Sequence, residues 1–153
     1  MFEINIDTDS MNRSEYNITG QIFISSLGYN FPEKKWDDFV VIILNWWLKN
    51  VRNYLNNETD ECVLNFMDGP YCINLSMVVD NTDYCIVSYY KNYTGTNRIL
   101  LTSQTHLLSD VTTAFKLASN KVLRECLSRK WKDETVNKLT QNYNLYIAML
   151  KNF

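Results

Sequence analysis

Glycine and proline are scarce in this chain, 4 and 2 in 153 residues. That argues against a linker-rich or low-complexity chain. It also leaves no phosphate-cradling loop, since Gly20, Gly28, Gly69 and Gly95 each stand alone. Histidine occurs once, as His106, and the four cysteines (Cys62, Cys72, Cys85, Cys126) include no Cys-X-X-Cys pair. A zinc site needs clustered Cys or His ligands, so no metal and no other cofactor is expected. Three of the cysteines fall in predicted strands, where free Cys behaves as a small hydrophobe, and the four are read as buried reduced thiols. The longest apolar run, Phe39 to Leu44, is far short of the roughly 18 residues of a membrane span. Residues 1–7 have neither the basic start nor the apolar run of a secretion signal. A cytoplasmic protein with no membrane partner is therefore expected, and the five Asn-X-Ser/Thr sequons carry little meaning without secretion.

What remains is an ordinary globular composition, 46% hydrophobic and 21% charged, in a chain long enough for one domain (residues 1–153) with a real core. Aromatics reach 14%, with Tyr the most frequent; most are expected in the core or half-buried in a sheet, and a surplus at the surface would suit recognition. The net charge of −2 hides an uneven distribution. Residues 1–83 hold 13 Asp and Glu against 5 Lys and Arg, a net −8, whereas residues 84–153 hold 4 against 10, a net +6. An acidic face of this kind steers a basic partner, unless the two halves interleave in space and the field averages out.

The pattern along the chain predicts an α+β fold in the order ββα-ββββ-αα. Phe2, Ile4 and Ile6 alternate as in a half-buried strand, and Ile18 to Leu27 reads as a second. Gly28 to Lys35 is a connector, with Pro32 disfavouring helix at Phe31. A helix follows over about residues 36–55, with Trp36, Val40, Ile43, Trp47, Val51 and Tyr54 on one face and Phe39, Ile42 and Trp46 widening it. Asp37 and Asp38 are placed in its first turn, where they complement the helix dipole. Four strand-like runs (62–67, 71–79, 84–91 and 98–103) are separated by short turns such as Asp68-Gly69-Pro70, which joins antiparallel neighbours into a meander. Two helices close the chain, one following Ser109 as N-cap and one beginning near Asp133-Glu134. Helices are expected to cover one face of an antiparallel sheet made of the two N-terminal strands and the meander.

No catalytic constellation emerges. Ser103, Thr105 and Ser109 lie near His106 in sequence, but proximity alone makes no triad. Asp37 and Asp38 are adjacent, so they cannot act as a carboxylate dyad on one helix face. Arg129-Lys130-Trp131-Lys132 reads as a solvated helix end with Trp131 docked on the core, and no nucleic-acid partner is expected. The surface candidates are acidic and aromatic. Glu58, Asp60, Glu61, Asp80 and Asp83 occupy turns that paired-strand geometry allows at one end of the sheet. Glu33, Asp37 and Asp38 mark a second acidic spot at the start of the first helix. Tyr84, Tyr89, Tyr90 and Tyr93 supply aromatics beside them, a combination suited to protein recognition.

The segment Phe31-Pro32…Trp36…Asp38-Phe39…Leu44…Trp46-Trp47 resembles one in small bacterial immunity-type proteins, the cytosolic antidotes encoded beside polymorphic or contact-dependent toxins. In those proteins a short strand pair leads through a Phe-Pro or similar turn into a Trp-rich helix, followed by a meander and helices. The resemblance implies non-catalytic binding to a cognate toxin, and many such toxins are nucleases with basic substrate grooves. Two other readings stand beside it: a small ligand-binding or enzymatic domain with a pocket near His106, and a structural or adaptor subunit that dimerises through an exposed sheet edge. A monomer is favoured.

Overall fold

The computed structural model describes residues 1–15, 17–91 and 97–153. The element order is β1 (Phe2–Arg13), β2 (Ile18–Ser26), β3 (Tyr29–Phe31), β4 (Asp37–Asp38), α1 (Val40–Leu55), β5 (Cys62–Asn65), β6 (Tyr71–Val78), β7 (Asn81–Lys91), β8 (Ile99–Leu107), α2 (Leu108–Ser128) and α3 (Glu134–Leu150). The α+β class and the order ββ..α..ββββ-αα follow the sequence pattern. The strands divide between two antiparallel four-stranded sheets: β1 to β4, with β2 pairing all three others, and the meander β5-β6-β7-β8.

Two short strands, β3 and β4, lie in the stretch that the sequence assigns to a connector and to the start of the first helix. Ser26 and Tyr29 pair across Leu27-Gly28, whose φ values are 50° and 79°. This is the twist of a two-residue hairpin turn, which favours Asn-Gly. Leu27 is exposed and gains nothing there to offset its left-handed backbone. Leu27→Asn is therefore expected to raise stability by about 0.5–1 kcal/mol, measured as a higher denaturant midpoint with unchanged slope. A further correction concerns Asp37 and Asp38. They pair with Gln21 and Gly20 as strand β4, and α1 has no acidic residue in its first turn.

α1 is the centre of the molecule, packed on α3, α2, β5 and β2. Val40, Ile43, Trp47 and Val51 are buried as the helical spacing requires. The widening runs the other way from the sequence expectation. Val41, Leu44 and Leu48 are buried, whereas Ile42 is only half-buried and Trp46 is 40% exposed. The reason is that α3 covers the Leu44 flank: Asn142 of α3 donates to Asn45 and accepts from Arg52.

Helix side chains also close two sheet edges. Trp47 Nε1 donates to the Asn65 carbonyl (2.8 Å) and Asn50 Nδ2 to that of Val63 (3.0 Å), along the outer side of β5. On β1, Lys121 Nζ donates to the Ile6 carbonyl (2.8 Å), and Arg129 to those of Met11 (2.6 Å) and Thr8 (2.8 Å). An uncovered edge is a template for pairing with another chain, and a cationic or polar side chain laid along it removes that option.

α2 begins at Leu108 because β8 runs into it without a loop, so Ser109 lies inside the first turn. Its end is a Schellman turn: Trp131 N donates to the Cys126 carbonyl and Lys130 N to that of Leu127, with Lys130 at φ 58°. This separates α2 from α3 at a junction where the sequence allows either a bend or a continuation. α3 starts as expected, with the Asp133 carboxylate accepting from Val136 N (3.0 Å). Trp131 packs against the core under the Arg129 guanidinium, 4.8 Å from its ring centre. The four thiols are buried and free. Burial pushes Cys62 up to about 12 and Cys85 and Cys126 to about 11.

Candidate functional site

The register of the meander decides where its turns lie. Cys62 pairs with Leu75, and Met77 with Cys85. The 56–61 turn therefore sits beside the β6–β7 hairpin, at the same end of the sheet. Between them opens a cleft of about 1160 Å³. Its walls are the end of α1 (Tyr54, Leu55), Asp60 from the turn, Met77–Val79 and Thr82–Tyr84 from the hairpin, and the β8–α2 junction with Thr112 and Thr113; Leu150 and Phe153 complete it. The floor is fixed, because Tyr54 Oη accepts from Met77 N (2.9 Å). The lining mixes exposed apolar groups (Val79, Leu107, Phe153) with carboxylates and hydroxyls.

Of the first acidic set, Asp60 and Asp83 line this cleft, and Glu58, Glu61 and Asp80 are exposed neighbours in the same turns. Among the described residues, ion pairs are Arg13–Asp133, Arg129–Glu125 and Lys138–Glu134, and none of the five carboxylates takes part in one. Tyr84 also lines the cleft. The sequence missed Tyr54 and Phe153 as wall residues; Tyr54 falls on the helical stripe and reads as core.

The second acidic spot is rearranged. Asp38 is buried, at 1% exposure, and its carboxylate accepts from Trp36 Nε1 (3.0 Å), Phe39 N (2.7 Å) and Asp68 N (3.2 Å). It is a structural anchor and presents no surface to a partner, which corrects the sequence expectation. Asp37 and Glu33 are exposed, and Asp68 joins them from the β5–β6 turn. Burial first, and then the charges of Asp38 and Asp68, raise the Asp37 carboxyl above its ordinary range. Nothing in the sequence ties Asp68 to this spot except its turn position, which register alone brings beside β4. The two acidic spots flank the eight residues of β6, so they lie about 25 Å apart at roughly 3.3 Å per residue. The halves do interleave at β1, where Lys121 of α2 and the following Arg129 reach the carbonyls of Ile6, Thr8 and Met11.

The tyrosines are likewise redistributed. Tyr89 is fully buried, with its ring against Tyr29 and Phe31, so it belongs to the core and not to a binding face. Tyr90 is half-buried on the outer face of the meander, with the Arg98 guanidinium 4.6 Å above its ring. Tyr93 lies outside the described residues.

His106 lines neither this cleft nor the smaller one beside Arg52 and Phe153. It is buried between the sheets. Its Nε2 is 2.8 Å from Ser26 Oγ and 3.3 Å from Gln104 Oε1. Ser26 Oγ donates to Gln104 Oε1, and Gln104 Nε2 donates back to the Ser26 carbonyl (3.1 Å). With the serine proton so engaged, the imidazole donates from Nε2 as the neutral tautomer. Its partner is Ser26 from the other sheet, not Ser103, Thr105 or Ser109. Burial, and then the chain's amino terminus, hold the imidazole below its ordinary value of 6.5, with Asp110 opposing. Below pH 6.5 the unfolded chain therefore takes up the proton first, and stability falls as pH drops from there toward the folded-state value. His106→Gln is expected to lose that component. Denaturation of both proteins at pH 7.5 and 5.5 should show a smaller decrease for the variant.

No protein-family model, curated protein or solved structure matches the chain. Among the described residues no group of three or more His, Cys, Asp or Glu is placed to hold a metal ion, and no helix is long and apolar enough to cross a membrane.

Proposed function

We propose that this chain is an immunity-type protein, acting in the cytoplasm, that neutralises a cognate bacterial toxin by binding it and breaks no bonds itself. The observation that carries this reading is the cleft lined by Asp60 and Asp83, with Glu58, Glu61 and Asp80 exposed in the same turns; among the described residues none of these five carboxylates is in an ion pair. Its volume and open mouth suit a segment of a folded partner, and its aliphatic and aromatic walls supply apolar area between the charges. A basic partner, such as a nuclease domain with a substrate groove, would meet complementary charge there. The raised carboxyl of Asp37 supports a second contact of the same sign at the other end of β6, since a cation brought beside it relieves its repulsion from Asp38 and Asp68.

Co-expression with the toxin encoded next to this chain tests the reading. Cells should survive only when this protein is present; equal killing with and without it would refute the function. The charge-reversal pair Asp60→Lys and Asp83→Lys is expected to weaken toxin binding at least about 100-fold, or about 3 kcal/mol. Both residues are exposed, so the thermal midpoint should move little. Calorimetric titration and a melting curve on the same preparation separate the two effects.

A further inference from the structure

We propose that β8 (Ile99–Leu107) is the pairing edge of a homodimer, in which two copies join their meanders into one eight-stranded antiparallel sheet. The first observation is a contrast. The outer edges of β1 and β5 are covered by Lys121, Arg129, Trp47 and Asn50. Among the described residues no backbone or side-chain donor or acceptor is laid along the outer edge of β8, although it is nine residues long. The strand also lacks the usual protections, having no Lys, Arg, Asp, Glu or Pro. Ile99, Leu100 and Leu101 stand 56%, 53% and 43% exposed.

The second observation selects the occupant. An edge that pairs with its own copy about a twofold axis must do so antiparallel, and the contact must be self-complementary. Centred on Ser103, this pairing sets Ile99 against the partner's Leu107, Leu101 against Thr105, and Ser103 against its own copy. The apolar residue at each end of β8 then meets an apolar residue, and no like charges meet. The charges beyond the strand agree. Lys91 pairs with Ile99 at one end of β8, and Tyr84 with Leu107 at the other, beside Asp83. Antiparallel addition brings the Lys91 end of one copy toward the Asp83 end of the next, about 14 Å away at three strand spacings. It keeps the two acidic clefts at opposite ends of the joined sheet. A basic toxin surface gains no charge complementarity on this uncharged strand, and its expected contact lies at the cleft.

Sedimentation of the purified chain between about 1 and about 100 μM tests the proposal without any toxin present, so its outcome is independent of the functional reading. The wild-type chain is expected to move from the 18.1 kDa monomer to twice that mass across this range, as for a micromolar dissociation constant. Ser103→Lys, which sets two ammonium groups face to face, should weaken association at least about 100-fold while leaving the circular dichroism spectrum unchanged. Leu101→Lys, which sets an ammonium group in place of an apolar side chain against Thr105 in each of the two symmetric pairs, should weaken association about 10-fold, and adding Thr105→Glu should restore the dimer by placing opposite charges across the pair. A wild-type chain that stays monomeric to about 100 μM overturns the proposal. So does a dimer indifferent to Ser103→Lys, or a Leu101→Lys chain that Thr105→Glu does not rescue. A monomer whose toxin binding is lost on Ser103→Lys would assign the edge to the toxin, against the proposal.

Discussion

Replacing Trp47 by alanine is expected to remove about 4–5 kcal/mol of stability, a large fraction of the roughly 5–15 kcal/mol that a domain possesses. Trp47 is fully buried at the middle of α1. Its ring meets the edges of Phe66 and Phe115, at 5.1 Å and 6.1 Å between centres. Truncation leaves a cavity where three elements converge. It also strips the Asn65 carbonyl of its indole donor, so a desolvated acceptor adds to the packing loss. Trp47→Phe separates the two costs. It keeps most of the apolar volume and loses the hydrogen bond, so a smaller loss of about 2 kcal/mol is expected. Trp46→Ala, one residue away and 40% exposed, should cost under about 1 kcal/mol. Urea unfolding of the three variants checks the ranking, and a Trp46 variant weaker than the Trp47 variant would contradict the orientation of α1.

Asp38→Ala is the second large effect, expected at about 3 kcal/mol. The carboxylate gathers the indole N–H of Trp36, just before β4, and two backbone N–H groups from the start of α1 and the β5–β6 turn. It is the pin between the two sheets at that end of the molecule. Trp36, which it orients, lies against Gly69: a Cβ there would come within 2.9 Å of the Trp36 ring, and Gly69 holds φ 126°. Asp38→Asn distinguishes the anchor from a simple charge. Oδ2 accepts twice and Oδ1 once, so an amide can keep one side and must turn its own N–H groups on the other. A loss of about 1–2 kcal/mol is expected, between wild type and alanine. Equal stability of Asp38→Ala and wild type in denaturant would refute the anchoring role.

The physics that makes these two residues important also explains what could be read from the chain. The period of the apolar residues placed α1 and the meander, and Asp133 announced α3, because those signals are local. The β3 and β4 strands carry two or three residues each and exist only through their pairing with β2, so no period betrays them. Asp38 reads as a helix-start carboxylate until the chain is folded, when Asp68 N from a turn 30 residues away joins the neighbouring Trp36 and Phe39 donors on it. Tyr89 and Tyr90 are neighbours in a strand, so one had to face inward; which one depended on the bulge and partners of β7. The convergence of the 56–61 turn and the β6–β7 hairpin was legible, since short antiparallel connections force alternate turns to the same end. The apolar far wall of the cleft was not, because Leu107, Leu150 and Phe153 come from two later elements and the chain end.

Arg129 and Lys121 reach carbonyls some 115 to 121 residues earlier in the chain. During synthesis the first hairpin therefore emerges long before the guanidinium and ammonium that shield its flank. Until α2 is complete, a nascent chain carries a bare strand that any neighbouring polypeptide on the polysome can pair with. At several residues per second that interval lasts on the order of ten seconds. Conditions that slow elongation over α2 should thus convert correctly made protein into aggregate, even though the finished molecule is no less stable.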